Sequence, residues 1–161
     1  MYRLRFLAFS LNLLKQLNYT EYSPGRLLLG NLPKGEDILA SITTLCKAAS
    51  VRTASFSVRG VVSSYTIGTY DPRQQVYVTS AESVPREIIF CSGNVYSRDG
   101  EVESSAHIVL ADDRGALTGG RLFSETRIFS GEIRLQECIG PPPLRVYDDA
   151  TGQMLWHFCR E

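Results

Sequence analysis

No charge of either sign dominates this chain. Seventeen Lys and Arg are matched by seventeen Asp and Glu, for a formal net charge of zero over 161 residues. Nucleic acid and anionic lipid are held chiefly by clustered Lys and Arg, so the balance removes the simplest electrostatic case for either partner. A local block is missing too, because Arg114, Arg121 and Arg127 are interspersed with Asp112, Asp113 and Glu125.

Paired cysteines are also absent. Cys46, Cys91, Cys138 and Cys159 lie far apart, with no CxxC and no histidine at zinc-finger spacing, which points to free thiols in a reducing cytosol and a cytoplasmic protein. Cys46 and Cys91 sit in apolar stretches and are expected to be buried. The apolar N-terminal stretch is broken by Ser10, Asn12 and Lys15, too short and too polar to span a membrane. Residues 1–22 read as an extension, helical or disordered, ahead of one domain at 23–161. Catalytic signatures are missing as well: no GxSxG, no phosphate-binding loop, no GxGxxG after a strand, no HExxH.

What is present is a pattern of short strands and turns around one helix. A strand near 26–32 stops at Pro33 and Gly35. The helix follows, with Ile38, Leu39, Ile42, Leu45, Cys46 and Ala49 on one face and Glu36 and Asp37 at its positive end. After Ser50 the alternation predicts strands over 53–58, 61–70, 75–80, 86–97, 105–112, 126–139 and 153–158. They are divided by DPRQ, SRDGE, DDRG, GPPPL and DDATG. The expected fold is a single α+β domain, a mainly antiparallel sheet with one principal helix packed against it, large enough to fold without a metal or disulfide.

The residues 104–123, SSAHIVLADDRGALTGGRLF, hold one of the two histidines, a glycine pair and an arginine. Alternation places Ser105, His107 and Val109 on one face and Ala106, Ile108 and Leu110 on the other. A lone strand histidine is more often structural than a metal ligand. Gly119 and Gly120 let a backbone bend or approach another chain closely. Arg121, if buried, needs a carboxylate, a carbonyl cluster or an anionic ligand. The pairs Asp112–Asp113 and Asp148–Asp149 lie in turns, where Asp serves backbone hydrogen bonds, and His157 reads as an edge-strand residue.

The ordered pieces LPKGEDILASI, VVSSYTIGTYD, REIIFCSGN, AHIVLADDRGALTGGRL and YDDATG, from about Arg26 to Trp156, resemble the PPC (plants and prokaryotes conserved) domain family, stand-alone prokaryotic type. The resemblance implies a trimer-forming fold, related to that of acetolactate decarboxylase, with glycine-rich segments at subunit contacts. It also implies zinc held by an HxH pair and a histidine after the double glycine. The matching positions here are Ser105, His107 and Arg121, so one imidazole stands where three are implied. A fixed cation at Arg121 opposes a metal. The expectation is therefore no cofactor, and Ser105, His107 and Arg121 lining a polar pocket for a small anion. In plant members AT-hooks precede the domain; these 161 residues contain none. The favoured function is a homotrimeric, non-enzymatic binding or regulatory module with an unidentified protein or small anionic ligand as partner. A DNA-associated regulator comes next, and a metal-dependent decarboxylase-like enzyme last.

Overall fold

A computed structural model describes residues 19–157. The helix or tail expected within residues 1–22 falls, for residues 1–18, outside the described residues. In chain order the elements are β1 (Ser23–Leu32), α1 (Ile38–Ala48), β2 (Ala54–Asp71), β3 (Val76–Glu82), β4 (Arg86–Arg98), β5 (Glu101–Ala111), β6 (Leu117–Leu122), β7 (Arg127–Ile139), β8 (Leu144–Asp148) and β9 (Gln153–His157). Every pairing between strands is antiparallel.

The main sheet runs β1-β7-β2-β4-β5-β6, with β3 paired to β2 and a further pairing of β2 to β6. That last contact, Ile67 opposite Leu122 and Gly68 opposite Arg121, closes β2, β4, β5 and β6 into a ring. It is possible because β2 is 18 residues long and pairs along its first half with β4 and β7, then along its second half with β3 and β6. The sequence pattern predicts two strands there. Gly60 explains the difference: its φ is +135°, and a Cβ on it would lie 2.1 Å from the Ser130 carbonyl oxygen. The glycine makes a bulge at a register shift that bends the strand without ending it.

Three other boundaries move. β5 starts at Glu101, earlier than the alternation suggests, because Asp99 (φ 52°) and Gly100 (φ 85°) form a two-residue hairpin turn with both φ positive, the geometry that matches strand twist. The glycine pair, which reads as a bend, lies inside β6. The GPPPL–DDATG stretch hides β8, which pairs with β9 as a separate hairpin.

Helix α1 forms as its periodicity requires. Ile38, Ile42 and Cys46 are buried, and Leu39, Leu45 and Ala49 pack against the core. Asp37 caps it, accepting from Ala40 N at 2.9 Å through one carboxylate oxygen and from Thr126 N at 3.0 Å through the other. Cap and sheet are thus joined by one side chain. The helix covers the inner face of β5, where Ser104 Oγ donates to the Leu39 carbonyl at 3.1 Å beside the buried Ala106, Ile108 and Leu110. Cys91 belongs to the same core, and burial pushes its thiol up to about 12.

One buried carboxylate ties the edge strand down. Arg26 donates from Nε and Nη2 to the two oxygens of Glu137, at 2.7 and 2.9 Å, and the Arg26 amide adds a bond at 3.1 Å. These bonds hold the Glu137 carboxyl down at about 2 against the desolvation that opposes them. No helix among the described residues is long and apolar enough to cross a membrane.

Candidate functional site

With the inner face of β5 used for the core, its outer face carries the polar residues. Ser105 and Val109 are half-buried and His107 is exposed, the alternation the sequence predicts. His107 is in direct cross-strand register with Arg121 on β6 and with Ser92 on β4; Ser105 is opposite Asn94. The structure therefore brings Ser105, His107 and Arg121 together on one face.

The glycine pair makes this possible by letting β6 fit between two strands. A Cβ on Gly119 would stand 2.6 Å from the Ile108 carbonyl oxygen of β5, and one on Gly120 would stand 2.7 Å from the Gly68 carbonyl oxygen of β2. Each glycine faces backbone that cannot step aside, so the close approach is between strands of the same chain.

Arg121 does not reach for His107. Its guanidinium lies over the Tyr77 ring at 5.1 Å and the Phe123 ring at 5.8 Å, and Nη1 donates to the Tyr77 hydroxyl at 3.4 Å. The two rings meet edge to face, with centroids 5.6 Å apart, and the cation lies against both. At the Ser105 end a second arginine takes a similar position. Arg145, from β8, lies 4.9 Å from the Tyr96 ring and 4.7 Å from the Trp156 ring, and its Nη1 donates to Ser105 Oγ at 3.4 Å.

The β8–β9 hairpin that carries Arg145 is anchored at its tip too. The Tyr70 hydroxyl donates to the Thr151 carbonyl and Gln75 Nε2 donates to the Ala150 carbonyl at 3.2 Å. The hairpin thus bridges the Ser105 end of the face and the end of β2. Beside its base opens a hollow of about 200 Å³ lined by Ser55, Asn94, Pro143 and Trp156 among others.

A wider hollow, about 550 Å³, lies further along the same face over β1, β7 and β2, lined by Leu29, Ser57, Arg59, Glu132 and Arg134. All five are exposed side chains, with none of the convergent fixed polar groups that mark a ligand site. The part of the face around Ser105, His107 and Arg121 is the better candidate on that ground.

Sequence reasoning misses Arg145 and the four rings that hold the arginines. The signal was alternation in LRVYD, which puts Arg145 and Tyr147 on one side of a strand, but the three prolines before it suggest a loop. The acidic pairs behave as turns require. Asp112 Oδ1 accepts from Arg114 N and Ala116 N at 2.9 and 2.8 Å, and Asp148 accepts from Thr151 N at 3.0 Å. His157 ends β9 and is exposed.

Among the described residues no group of three His, Cys, Asp or Glu side chains could hold a metal ion. The donor set at the family position is one imidazole, one hydroxyl and a guanidinium cation, which does not fit zinc.

The family model of the Plants and Prokaryotes Conserved (PCC) domain matches residues 19–139. The chain belongs to this family. The match ends at β7, so the β8–β9 hairpin lies beyond the matched residues. Among solved structures the chain is similar to a metal-containing protein from Archaeoglobus fulgidus: 32% identity, TM-score 0.83, covering 88% of this chain and 99% of that one. It is also similar to a PPC protein from Pyrococcus horikoshii, at 30% identity and TM-score 0.82, covering 90% of this chain and 100% of that one. A protein from Bacteroides thetaiotaomicron, at 20% identity and TM-score 0.75 over 86% and 99% of the two chains, shares the fold. No curated protein matches the chain.

Proposed function

We propose that this PPC-domain chain is a homotrimeric, non-catalytic binding and regulatory module that takes a small anion on the outer face at Ser105, His107 and Arg121. The observation that carries the reading is the register of Arg121 with His107. A permanent cation, held by two aromatic rings, stands where the family resemblance implies a third metal-binding imidazole. A site that would bind a cation has become one suited to an anion. The trimer is supported by the resemblance, and Phe90, Leu117 and Leu29, exposed at 55%, 64% and 72%, are apolar side chains an assembly would cover. Sedimentation equilibrium of the full chain tests the assembly, and thermal unfolding with phosphate, acetate and zinc chloride tests the site. Three protomers per particle, with stabilisation by an anion and none by zinc, is the expected result. A monomer, or turnover of a small carbonyl acid by the purified protein, defeats the proposal.

The second reading, association with DNA, is favoured by the provisional DNA-binding descriptions of two relatives of the same fold, from Bacteroides thetaiotaomicron and Ralstonia eutropha. Net neutrality weighs against direct contact. Anisotropy of a labelled duplex at low salt decides it: saturable binding that weakens as salt rises would favour this reading, and no change at high protein concentration would remove it.

A further inference from the structure

We infer that the face carries a dicarboxylate site, completed by the β8–β9 hairpin, in which Arg145 and Arg121 each take one acidic group of the ligand. The inference rests on the anion-binding reading above and narrows it to a ligand class.

The two arginines are matched in construction. Each guanidinium lies over two aromatic rings, Arg121 on Tyr77 and Phe123 and Arg145 on Tyr96 and Trp156. Each donates to one hydroxyl, at 3.4 Å in both cases. The rings of each pair stand at 71° and 89° to one another, so a planar guanidinium lies flat on one ring at most and keeps N–H groups for an oxygen acceptor. Among the described residues neither arginine has an ion-pair partner, as is also true of Lys34, Arg52, Arg59, Arg73, Arg114 and Arg134; what sets the two apart is the pair of aromatic rings that holds each. Two cations thus stand on one face, neither in a direct ion pair. The Nε of Arg145 is buried and has no hydrogen-bond partner, so the protein compensates that guanidinium incompletely. A buried donor left open is rare; closed to water, the Nε is equally closed to a ligand, so an acidic group would meet the other guanidinium nitrogens.

The spacing argues for two acidic groups rather than one compact oxyanion. Arg145 is tied to Ser105 and Arg121 is in register with His107, two residues further along β5. Two residues of strand span about 7 Å, and Tyr77 draws the Arg121 guanidinium toward β3 rather than toward Ser105. Their anchor points on β5 are thus set apart along the strand. A chain of a few carbons with a carboxylate at each end can reach both, lying along Ser105 and His107, whose side chains offer hydrogen bonds between the ends.

Calorimetric titration of the full chain with succinate, acetate and inorganic phosphate at one ionic strength tests this, using the wild type and the Arg145→Gln, Arg145→Lys and Arg121→Gln variants. The expected result is succinate binding at least tenfold tighter than acetate or phosphate. Each glutamine variant should reduce it to the acetate level, and Arg145→Lys should recover only part because the planar stack is lost. Acetate or phosphate binding as well as succinate overturns the inference and leaves the anion site standing. So does loss of binding in Arg121→Gln with none in Arg145→Gln. A changed sedimentation profile of Arg145→Gln with unchanged succinate affinity overturns it too, and assigns the arginine to contact between copies. No binding of any of the three anions overturns both readings. Unfolding midpoints of the variants, measured alongside, separate loss of ligand from loss of fold.

Discussion

Gly120→Ala tests the closure that puts Arg121 beside His107. The added methyl would sit 2.7 Å from the Gly68 carbonyl oxygen and 3.1 Å from its carbon. Both are backbone atoms of β2, which is held on its other edges by β3, β4 and β7, so relief requires moving strands. Overpacking of this kind costs about 1–3 kcal/mol, and backbone neighbours place it in the upper part of that range. The loss of unfolded-state freedom on Gly→Ala returns about 0.4–1 kcal/mol. The net expectation is a loss of about 1–2 kcal/mol, or roughly 2–8 °C in unfolding midpoint for a chain of this size. Gly30→Ala is the control. A Cβ there meets only the Ile133 Cγ2 methyl at 3.9 Å, ordinary contact, so that variant should be neutral or gain up to about 1 kcal/mol. Urea unfolding at one fixed protomer concentration reads both, since assembly makes midpoints concentration-dependent. Equal stability of Gly120→Ala and wild type, or equal losses in the two variants, would refute the steric argument for the ring.

Three further outcomes follow from particular contacts. The Glu137 carboxyl is held at about 2 in the folded chain by its Arg26 bonds, below its ordinary value near 4.5. Its contribution is therefore fully present above pH 4.5 and lost as pH falls toward 2; Glu137→Gln should flatten that acid limb of the stability profile and cost about 2 kcal/mol at neutral pH. Asp37→Ala removes both the α1 cap and the acceptor for Thr126 N, for an expected loss of about 1–2 kcal/mol in urea unfolding. Cys91 and Cys46, with thiols pushed by burial up to about 12 and about 11, should resist iodoacetamide at neutral pH in the native state and react once denatured, as read by mass spectrometry.

The helix was legible because its apolar period and the acidic Glu36 and Asp37 at its positive end agree; that Asp37 is the cap comes from the structure. The strand faces of β5 were legible because Ala106, Ile108 and Leu110 alternate strictly with Ser105, His107 and Val109. What escaped were elements whose local chemistry says one thing and whose tertiary setting says another. The gap between the strands expected at 53–58 and 61–70 is a bulge at Gly60 inside one long strand. Gly119 and Gly120 read as a bend or a close approach to another chain, and are the two places where β6 is squeezed between β5 and β2 of the same chain. At the site, the cross-strand neighbours of His107 could be matched by resemblance. Arg145 could not be, because its partners Ser105, Tyr96 and Trp156 come from three strands and no local pattern announces them.

The central claim is that Ser105, His107 and Arg121 form an anion site in place of a metal site. Elemental analysis of untagged protein purified without chelator, beside a Ser105→His, Arg121→His double variant, tests it most directly. The account predicts less than a tenth of a metal ion per chain, on the order of background for a site lacking a suitable donor set, with the double variant gaining zinc. About one metal per chain in the native protein, lost on His107→Ala, would contradict it.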